Sequence, residues 1–303
     1  MDRILAMRTF CAVAKSGSFT AAADQLELSP QLVSKYVSQL EHHLGVRLLN
    51  RTTRRVHMTE AGERYLTRAL FVLDEIEDME NVAGESQQEA KGRLRISAPV
   101  SFGVKHLSSL FHDFQQANAG VTIDCQLNDR KVDIIEEGFD IALRVGQLKD
   151  SSLIAKKLAT VRICICASPS YLRRYGTPTS LEDLKSHRYL RYSYLDPTAG
   201  LSAHNALCES DENNFICNNG DTLSQMAVQG AGIALQPTFI CGEALANGEL
   251  VEILPELAPP DLGLFAIYAH RQLLASKVRT FLDFADGYFG SPPYWDAYKA
   301  DSK

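Results

Sequence analysis

Residues 18–45 read SFTAAADQLELSPQLVSKYVSQLEHHLG, a pattern typical of two short helices joined by a tight turn. Ser29 can cap the first amides of the second helix, Pro30 suits its first position, and Gly45 suits its end. Apolar residues recur along this helix at i, i+4, i+7 and i+11, which predicts one buried stripe. The stripe consists of Val33, Val37, Leu40 and Leu44.

A second face of the same helix is polar and carries no carboxylate. Its residues Gln31, Ser34, Lys35 and Ser38 recur at i, i+3, i+4 and i+7. Short hydrogen-bonding side chains and one cation suit contact with base edges in the major groove of DNA. We therefore predict a helix-turn-helix that contacts DNA through these four residues and through Ser29 and Pro30. For this segment alone, the alternative is an ordinary amphipathic helix pair in a helical domain.

The stretch that follows, RLLNRTTRRVHMT at 47–59, is basic and has extended character. After a recognition helix, such a stretch predicts a β-hairpin wing for backbone or minor-groove contacts, here through Arg51, Thr52, Arg54 and Arg55. Residues 1–59 hold 8 Lys/Arg against 4 Asp/Glu, whereas the rest of the chain holds 23 against 33. A basic head on an acidic body predicts a polyanionic partner for the head, namely double-stranded DNA.

Over its whole length the chain resembles the LysR-type transcriptional regulators. The matching segments are MRTFCAVAKSGSFTAAADQL, LSPQLVSKYVSQLEHHLGVRLLNRTTRRVHMTEAG, RLRISAP, EEGFDIALRVG and GAGIALQP. Ser29-Pro30-Gln31 replaces the Ser-Gln-Pro of many members, and Lys35 replaces the usual Arg. Since Lys and Arg are not interchangeable in bidentate contacts, these departures bear on which base sequence is preferred. The resemblance implies a winged helix-turn-helix head, a long linker helix and a bilobal, periplasmic-binding-protein-like α/β domain that senses a small effector.

A heptad-like repeat after the wing predicts a long helix starting at Thr59. Its apolar positions alternate by four and three, which is the pattern of a two-helix contact. The resemblance implies that this linker helix pairs two chains and that the bodies pair as well, giving a homodimer or a tetramer. A helix packed on its own domain is the alternative. The predicted seam contains Leu66, Ala69, Leu73 and Ile76.

The polar stretch ESQQEAKG predicts a hinge to the body. We therefore expect a head at 1–59, a linker helix and hinge at 60–91, and an effector-binding domain at 92–303. Strand-like and helix-like segments alternate beyond Gly92, which predicts an α/β domain with parallel strands. The pattern fits one subdomain of 92–161 plus 269–290, with a second of 162–268 inserted into it. Residues 291–303 are expected to form a mobile tail.

Bodies of this kind bind small molecules in a cleft, near strand ends and helix starts. Ser101 lies where a helix start offers free amides and a positive dipole end, which favours a carboxylate. Helix capping is the alternative role for Ser101 and Thr222, and a structural ion pair is the alternative for Arg144. The candidate effector-binding residues are Pro99, Val100, Ser101, Phe102, Arg144, Gly146, Gln147, Thr222, Pro237 and Thr238.

Composition and motifs exclude several classes of function. The 303 residues contain no run approaching the roughly 18–20 apolar residues of a membrane span, and no signal peptide, so we expect a cytoplasmic protein. The seven cysteines form no C-x-x-C and no cluster with zinc spacing, which predicts no metal site and reduced thiols. The phosphate-binding, zinc-protease and serine-hydrolase motifs are absent, and nothing suggests a cofactor. We therefore expect a regulator, not an enzyme.

Two weaker hypotheses compete with effector sensing. Cys208 and Cys217 are nine residues apart, as in peroxide-sensing relatives, which would fit a thiol-based redox sensor. The acidic residues between them would raise the thiol pKa and so oppose that role. The other hypothesis is an enzyme with a DNA-binding head, for which we find no supporting residue.

Overall fold

The computed structural model describes residues 2–51, 56–83, 90–130, 132–147, 153–195, 202–209, 215–269 and 274–297. They form two compact units, one of 1–93 with 135–138 and one of 94–134 with 139–303. Within these ranges, no helix has both the length and the apolar character that a bilayer crossing requires. Each unit is described separately below.

The first unit is a helical head with a two-stranded hairpin, as predicted. Val33, Val37 and Leu40 are at most 1% exposed and pack against Phe10 and Val13 of the first helix. The predicted apolar stripe is therefore the core of the head. Its elements are α1 (Arg3–Ser16), α2 (Phe19–Leu26), α3 (Pro30–Leu44), β1 (Leu49–Arg51), β2 (Val56–Met58) and α4 (Glu60–Ala83).

The long helix α4 starts where the sequence predicts, but it packs on the head. The Thr59 hydroxyl accepts a hydrogen bond from the Gly62 amide at 3.0 Å and so caps the helix. Ala69 is 1% exposed and Leu73 is 8% exposed, and both belong to the core of the head. They have little surface left for a second chain, so their placement in a dimer seam is wrong. Leu66 and Ile76 are only half-buried.

The second unit contains two five-stranded sheets and the helices that cover them. Its elements are β3 (Gly92–Ala98), α5 (Val100–Phe102), α6 (Ser108–Ala117, preceded by a π-helical turn at Gly103–Leu107), β4 (Val121–Leu127), α7 (Ile134–Glu137, of which 135–137 group with the first unit), β5 (Ile141–Gly146), β6 (Leu153–Val161), β7 (Ile163–Ala167), α8 (Pro169–Tyr175), α9 (Leu181–Leu184), β8 (Tyr189–Tyr192), α10 (Ser202–Cys208), β9 (Phe215–Cys217), α11 (Gly220–Val228), β10 (Ile233–Pro237), α12 (Thr238–Ala246), β11 (Val251–Glu252), a 3₁₀ turn at Pro255–Leu257, β12 (Leu262–Ala269) and α13 (Ser276–Ala285).

Both sheets are mixed, which corrects the prediction of parallel strands. The first has the order β4-β3-β5-β12-β6 and the second β11-β7-β10-β8-β9. Strands β3 and β5 are parallel, but β12 is antiparallel to both β5 and β6. The reason is topological, because β6 carries the chain out of the first sheet and β12 carries it back. Each sheet with its helices forms one lobe of an α/β domain.

The pairing of strand β12 also corrects the predicted boundary between the subdomains. Its pairing with β6 begins at Leu262, which lies opposite Val161. All of β12 therefore belongs to the first lobe, whereas the sequence pattern assigned 162–268 to the second. The inserted lobe ends before Leu262.

Residues 288–297, after α13, are packed on the body, which corrects the prediction of a mobile tail for 291–297, and 298–303 lie outside the described residues. Trp295 is 7% exposed, and its ring centroid lies 4.9 Å from that of His106 and 5.8 Å from that of Phe102. The Asp296 carboxylate lies 3.7 Å from the Arg162 guanidinium. This docked segment, residues 288–297, brings aromatic rings to the end of a largely polar stretch, and burial of those rings holds it in place.

Candidate functional site

The polar face of α3 is presented to solvent by the packing of its apolar stripe. Gln31, Lys35 and Ser38 are exposed and Ser34 is half-buried. The Ser29 hydroxyl accepts a hydrogen bond from the Leu32 amide at 3.3 Å, so Ser29 caps the helix. Its side chain is thereby committed to the helix, while exposed Pro30 holds the first helical position. The face therefore has the polarity and accessibility that base contacts need.

The wing strands pair as predicted, and Glu41 attaches them to the recognition helix. Arg51 of β1 lies opposite Val56 of β2 in an antiparallel hairpin. The Glu41 carboxylate accepts the Leu48 and Leu49 amides at 2.9 and 3.0 Å, which fixes the hairpin relative to α3. The sequence reasoning missed this role. The predicted wing contacts Thr52, Arg54 and Arg55, and the side chain of Arg51, lie outside the described residues.

In the second unit, one wall of the candidate cleft follows strand β3. Pro99 has an extended backbone and begins a helical turn, and its carbonyl accepts the Gly103 amide at 2.8 Å. The Val100 amide donates to the Asp129 carboxylate at 3.0 Å, so that amide is already occupied. Ser101 is 4% exposed. Burial raises the pKa of Asp129, although the Val100 amide and Arg144 act against this shift.

Gln236, at the end of β10, is the residue that sequence reasoning missed in the opposite wall. Its side chain is 1% exposed, and neither its amide nitrogen nor its amide oxygen has a hydrogen-bond partner within the described structure. A Cβ placed on Gly220 would lie 3.1 Å from Gln236 Oε1, 3.7 Å from Ser101 Oγ and 2.5 Å from Ile240 Cδ1. Only glycine at position 220 leaves this space open. Gln236, Ser101 and the first residue of α11 therefore converge from the two lobes.

Beside this point a cavity of about 300 Å³ lies between the lobes. The first lobe contributes Val100, Asn128, Asp129 and Arg130, and the second contributes Tyr194 and Asn219. Lys105 and Asp221 approach across the same gap, with 3.4 Å between nitrogen and oxygen. The volume is near the lower end of the range for small-molecule sites.

Several predicted effector-binding residues have structural roles instead. Phe102 is fully buried and its ring packs against Phe239, Phe289 and Trp295. Thr238 is fully buried, and its amide and hydroxyl both donate to the Arg162 carbonyl. These two residues do not line the cleft, because each is needed in the packing behind it.

Other predicted positions carry local hydrogen bonds. The Thr222 amide and hydroxyl both donate to Asn219 Oδ1, at 2.9 and 3.0 Å, so Asn219 caps α11 and occupies Thr222. The Arg144 guanidinium donates to Ser97 Oγ at 2.9 Å and to the Leu143 carbonyl. Gly146 pairs with Gly263 in the first sheet, Gln147 is exposed, and Pro237 is the N-cap residue of α12. Of the original set, Val100 lines the cavity described above and Ser101 lies close to Gly220 beside it.

Burial dominates the surroundings of Cys208, one of the two thiols considered for redox sensing. Cys208 lies beside His204, with 3.6 Å between its sulfur and the ring Nε2. Burial raises the pKa of the Cys208 thiol, and Arg191 only partly opposes this. A peroxide-reactive thiol needs the opposite shift.

Comparison with known proteins identifies the family of both units. Residues 4–63 match the model of the bacterial regulatory helix-turn-helix protein, lysR family, and residues 87–289 match the LysR substrate binding domain. An HTH-type transcriptional regulator of Haemophilus influenzae is 37% identical over 92% of this chain and 98% of its own length.

Two solved structures also resemble the chain over nearly its whole length. The Vibrio cholerae virulence activator AphB is 29% identical with a TM-score of 0.56, over 93% of this chain and 98% of that one. CrgA of Neisseria meningitidis, a LysR-type transcriptional regulator, is 31% identical with a TM-score of 0.57, over 93% and 97%. The relatives are transcriptional regulators rather than enzymes. This chain belongs to the family of LysR-type, DNA-binding transcriptional regulators.

Proposed function

We propose that two copies of this regulator bind a dyad-symmetric operator and that a small carboxylate-bearing effector, bound between the lobes, changes that contact. The exposed, carboxylate-free face of α3 carries the first half of the proposal. One recognition helix reads too few base pairs to be selective, so two must act together on one site. Half-buried Leu66 and Ile76 remain our candidates for pairing through α4, and a tetramer would need a second contact. Such a regulator acts in the cytoplasm, where its operator lies.

The DNA contacts can be tested by two substitutions and a matched control. Lys35→Ala should cost about 1–3 kcal/mol on the operator and relax the base preference at one position, whereas Arg54→Ala should weaken all DNA binding and reduce its salt dependence. Exposed Lys15, in the last turn of α1, supplies the control Lys15→Ala. If Lys35→Ala binds operator and random DNA as the control does, the assignment of α3 is wrong.

The side-chain amide of Gln236, which has no partner among the described residues, supports the proposal of an effector bound between the lobes. Burying an amide without partners is costly, so a ligand that pairs with it gains affinity there. The start of α11 adds a positive dipole end, and Ser101 adds a hydroxyl. This inner end of the cleft suits a carboxylate. The Asp129 carboxylate at the outer end disfavours a second anionic group and favours a hydrogen-bond donor on the ligand.

The test uses Gln236→Leu, which keeps the approximate volume and removes the amide. A screen of small hydroxy- and amino-carboxylates by thermal shift would supply a ligand, since saturation at 100 times Kd adds about 2.7 kcal/mol. We expect Gln236→Leu to be at least as stable as the parent without ligand, and to lose the ligand's stabilisation. Exposed Thr222, changed to Val, is the control and should keep the response. A full response in Gln236→Leu would refute the site.

A further inference from the structure

Three cysteines meet in the core of the second lobe. Cys164 and Cys166 are two apart on β7 and so lie on the same face of that strand. Cys241, in the first turns of α12, packs against that face. The three sulfur atoms all lie within 4.8 Å of one another, and those of Cys164 and Cys241 are 3.5 Å apart. The sequence shows only C-x-C at 164–166, because the third member is 75 residues away.

The cluster is enclosed in the core, and its thiols donate to backbone oxygens. All three side chains are fully buried. The Cys164, Cys166 and Cys241 sulfurs lie 3.7, 3.6 and 3.5 Å from the carbonyl oxygens of Gln236, Ala234 and Pro237, respectively. Hydrogen bonds to Cys164, together with burial, raise the pKa of the Cys166 and Cys241 thiols well above the ordinary value.

The separation of the sulfurs suits one shared central atom. Thiolate bonds of about 2.3 Å, arranged in a plane around one atom, place the sulfurs roughly 4 Å apart, and a pyramid brings them somewhat closer. The observed spacing therefore requires only small side-chain movements. Among the described residues, these three sulfurs are the one group found with the spacing of a shared ligand set.

Charge decides which kind of atom fits. Three thiolates around a monovalent or divalent metal ion leave a net negative charge, and burying an unpaired charge is very costly. Three thiolates around a trivalent metalloid are neutral. In that exchange each of three S–H groups loses its proton to one hydroxyl of arsenic(III) hydroxide, three sulfur–arsenic bonds replace three oxygen–arsenic bonds, and three waters leave without any change of oxidation state.

We propose that Cys164, Cys166 and Cys241 form a binding site for a trivalent thiophilic metalloid, arsenic(III) or its heavier analogue antimony(III). The site is separate from the effector cleft but adjoins it, since Gln236 contributes its carbonyl to the thiols and its side chain to the cleft. Binding would tie α12 to β7 and so stiffen one wall of the cleft. Three small apolar residues would fill the same core but could not bind a metalloid.

The experiment adds one equivalent of sodium arsenite to the fully reduced, full-length protein. Native mass spectrometry should show one arsenic atom gained and three protons lost, and thiol titration should fall by three of the seven cysteines. The melting temperature of the parent should rise, a measurement that needs no variant to fold.

Two variants locate the site. Cys241→Ala should lose the mass gain and the thermal shift, while Cys208→Ala, with its half-buried thiol elsewhere in the same lobe, should keep both. Circular dichroism confirms that each variant is folded. The proposal is overturned if the parent binds no arsenic, if only two thiols are lost, or if Cys241→Ala keeps both the mass gain and the thermal shift. If the parent retains Zn²⁺ through dialysis but does not bind arsenic, the argument from charge is wrong.

Discussion

Replacing Trp295 with alanine should destabilise the effector-binding domain, although Trp295 lies beyond residue 289, where the match to the family domain ends. The indole is 7% exposed and packs on the rings of Phe102, His106 and Phe289. Truncating a buried aromatic residue to alanine typically costs about 3–5 kcal/mol. The indole nitrogen, however, is buried and has no hydrogen-bond partner among the described residues, which already costs the parent about 1–3 kcal/mol. The net loss should therefore be about 2 kcal/mol.

Urea unfolding followed by circular dichroism measures this loss on the full-length protein. Trp295 is the only tryptophan of the chain, so its fluorescence in the parent identifies which transition belongs to the effector-binding domain. The control is Ile216→Ala on β9, where the side chain is 56% exposed and the change should stay within about 0.5 kcal/mol. A Trp295→Ala variant that unfolds like this control would refute the packing of residues 288–297.

Three further outcomes follow from the packing and the buried groups. Gly62→Ala should lower the melting temperature of the head, because the new Cβ would overlap the Leu48 carbonyl oxygen. Gly146→Ala, whose Cβ would meet no atom of the described residues within 4 Å, should not lower the stability of its own domain comparably. Leu73→Asp should unfold the head at every protein concentration, as calorimetry can show, since Leu73 lies in the head's own core; a loss of dimer with an intact head would contradict this. Burial lowers the pKa of His106, so the folded chain binds fewer protons there than the unfolded chain as pH falls below about 6.5. Stability should therefore fall from pH 7 to pH 5, and the fall should be smaller in His106→Gln when melting temperatures are compared across that range.

Features that depend on neighbouring residues in sequence were predictable. Ser29, Pro30 and Gly45 define the ends of α3 by short-range hydrogen bonds and backbone preferences, and they do so in the structure. The apolar stripe of α3 was equally visible because its period is that of the helix. The same reasoning located the start of α4 at Thr59.

Features that depend on distant partners were not predictable from one sequence. The heptad pattern of α4 does not distinguish packing on α1 of the same chain from packing on a second chain. In the structure, Ala69 and Leu73 pack in the core of their own head. Strand β12 has the same apolar character whichever sheet it joins. Gln236 lies in an otherwise apolar strand, and only its position opposite Ser101 and Gly220 reveals an amide without partners. Trp295 sits in a stretch whose composition resembles a loose terminus, and only the rings of the body explain its burial.

The place of β12 in the first sheet has a consequence for biosynthesis. Strand β6 lies at the edge of its sheet, and among the described strands β12 is its only neighbour. About 100 residues separate the two strands, so at roughly 5–20 residues per second a ribosome needs about 5–20 s to supply the partner. During that time β6 has unpaired backbone groups while the whole inserted lobe emerges. We expect chains that terminate before Leu262 to aggregate even when their second lobe is complete, because β12, the strand that pairs with β6 in the described sheet, is then missing.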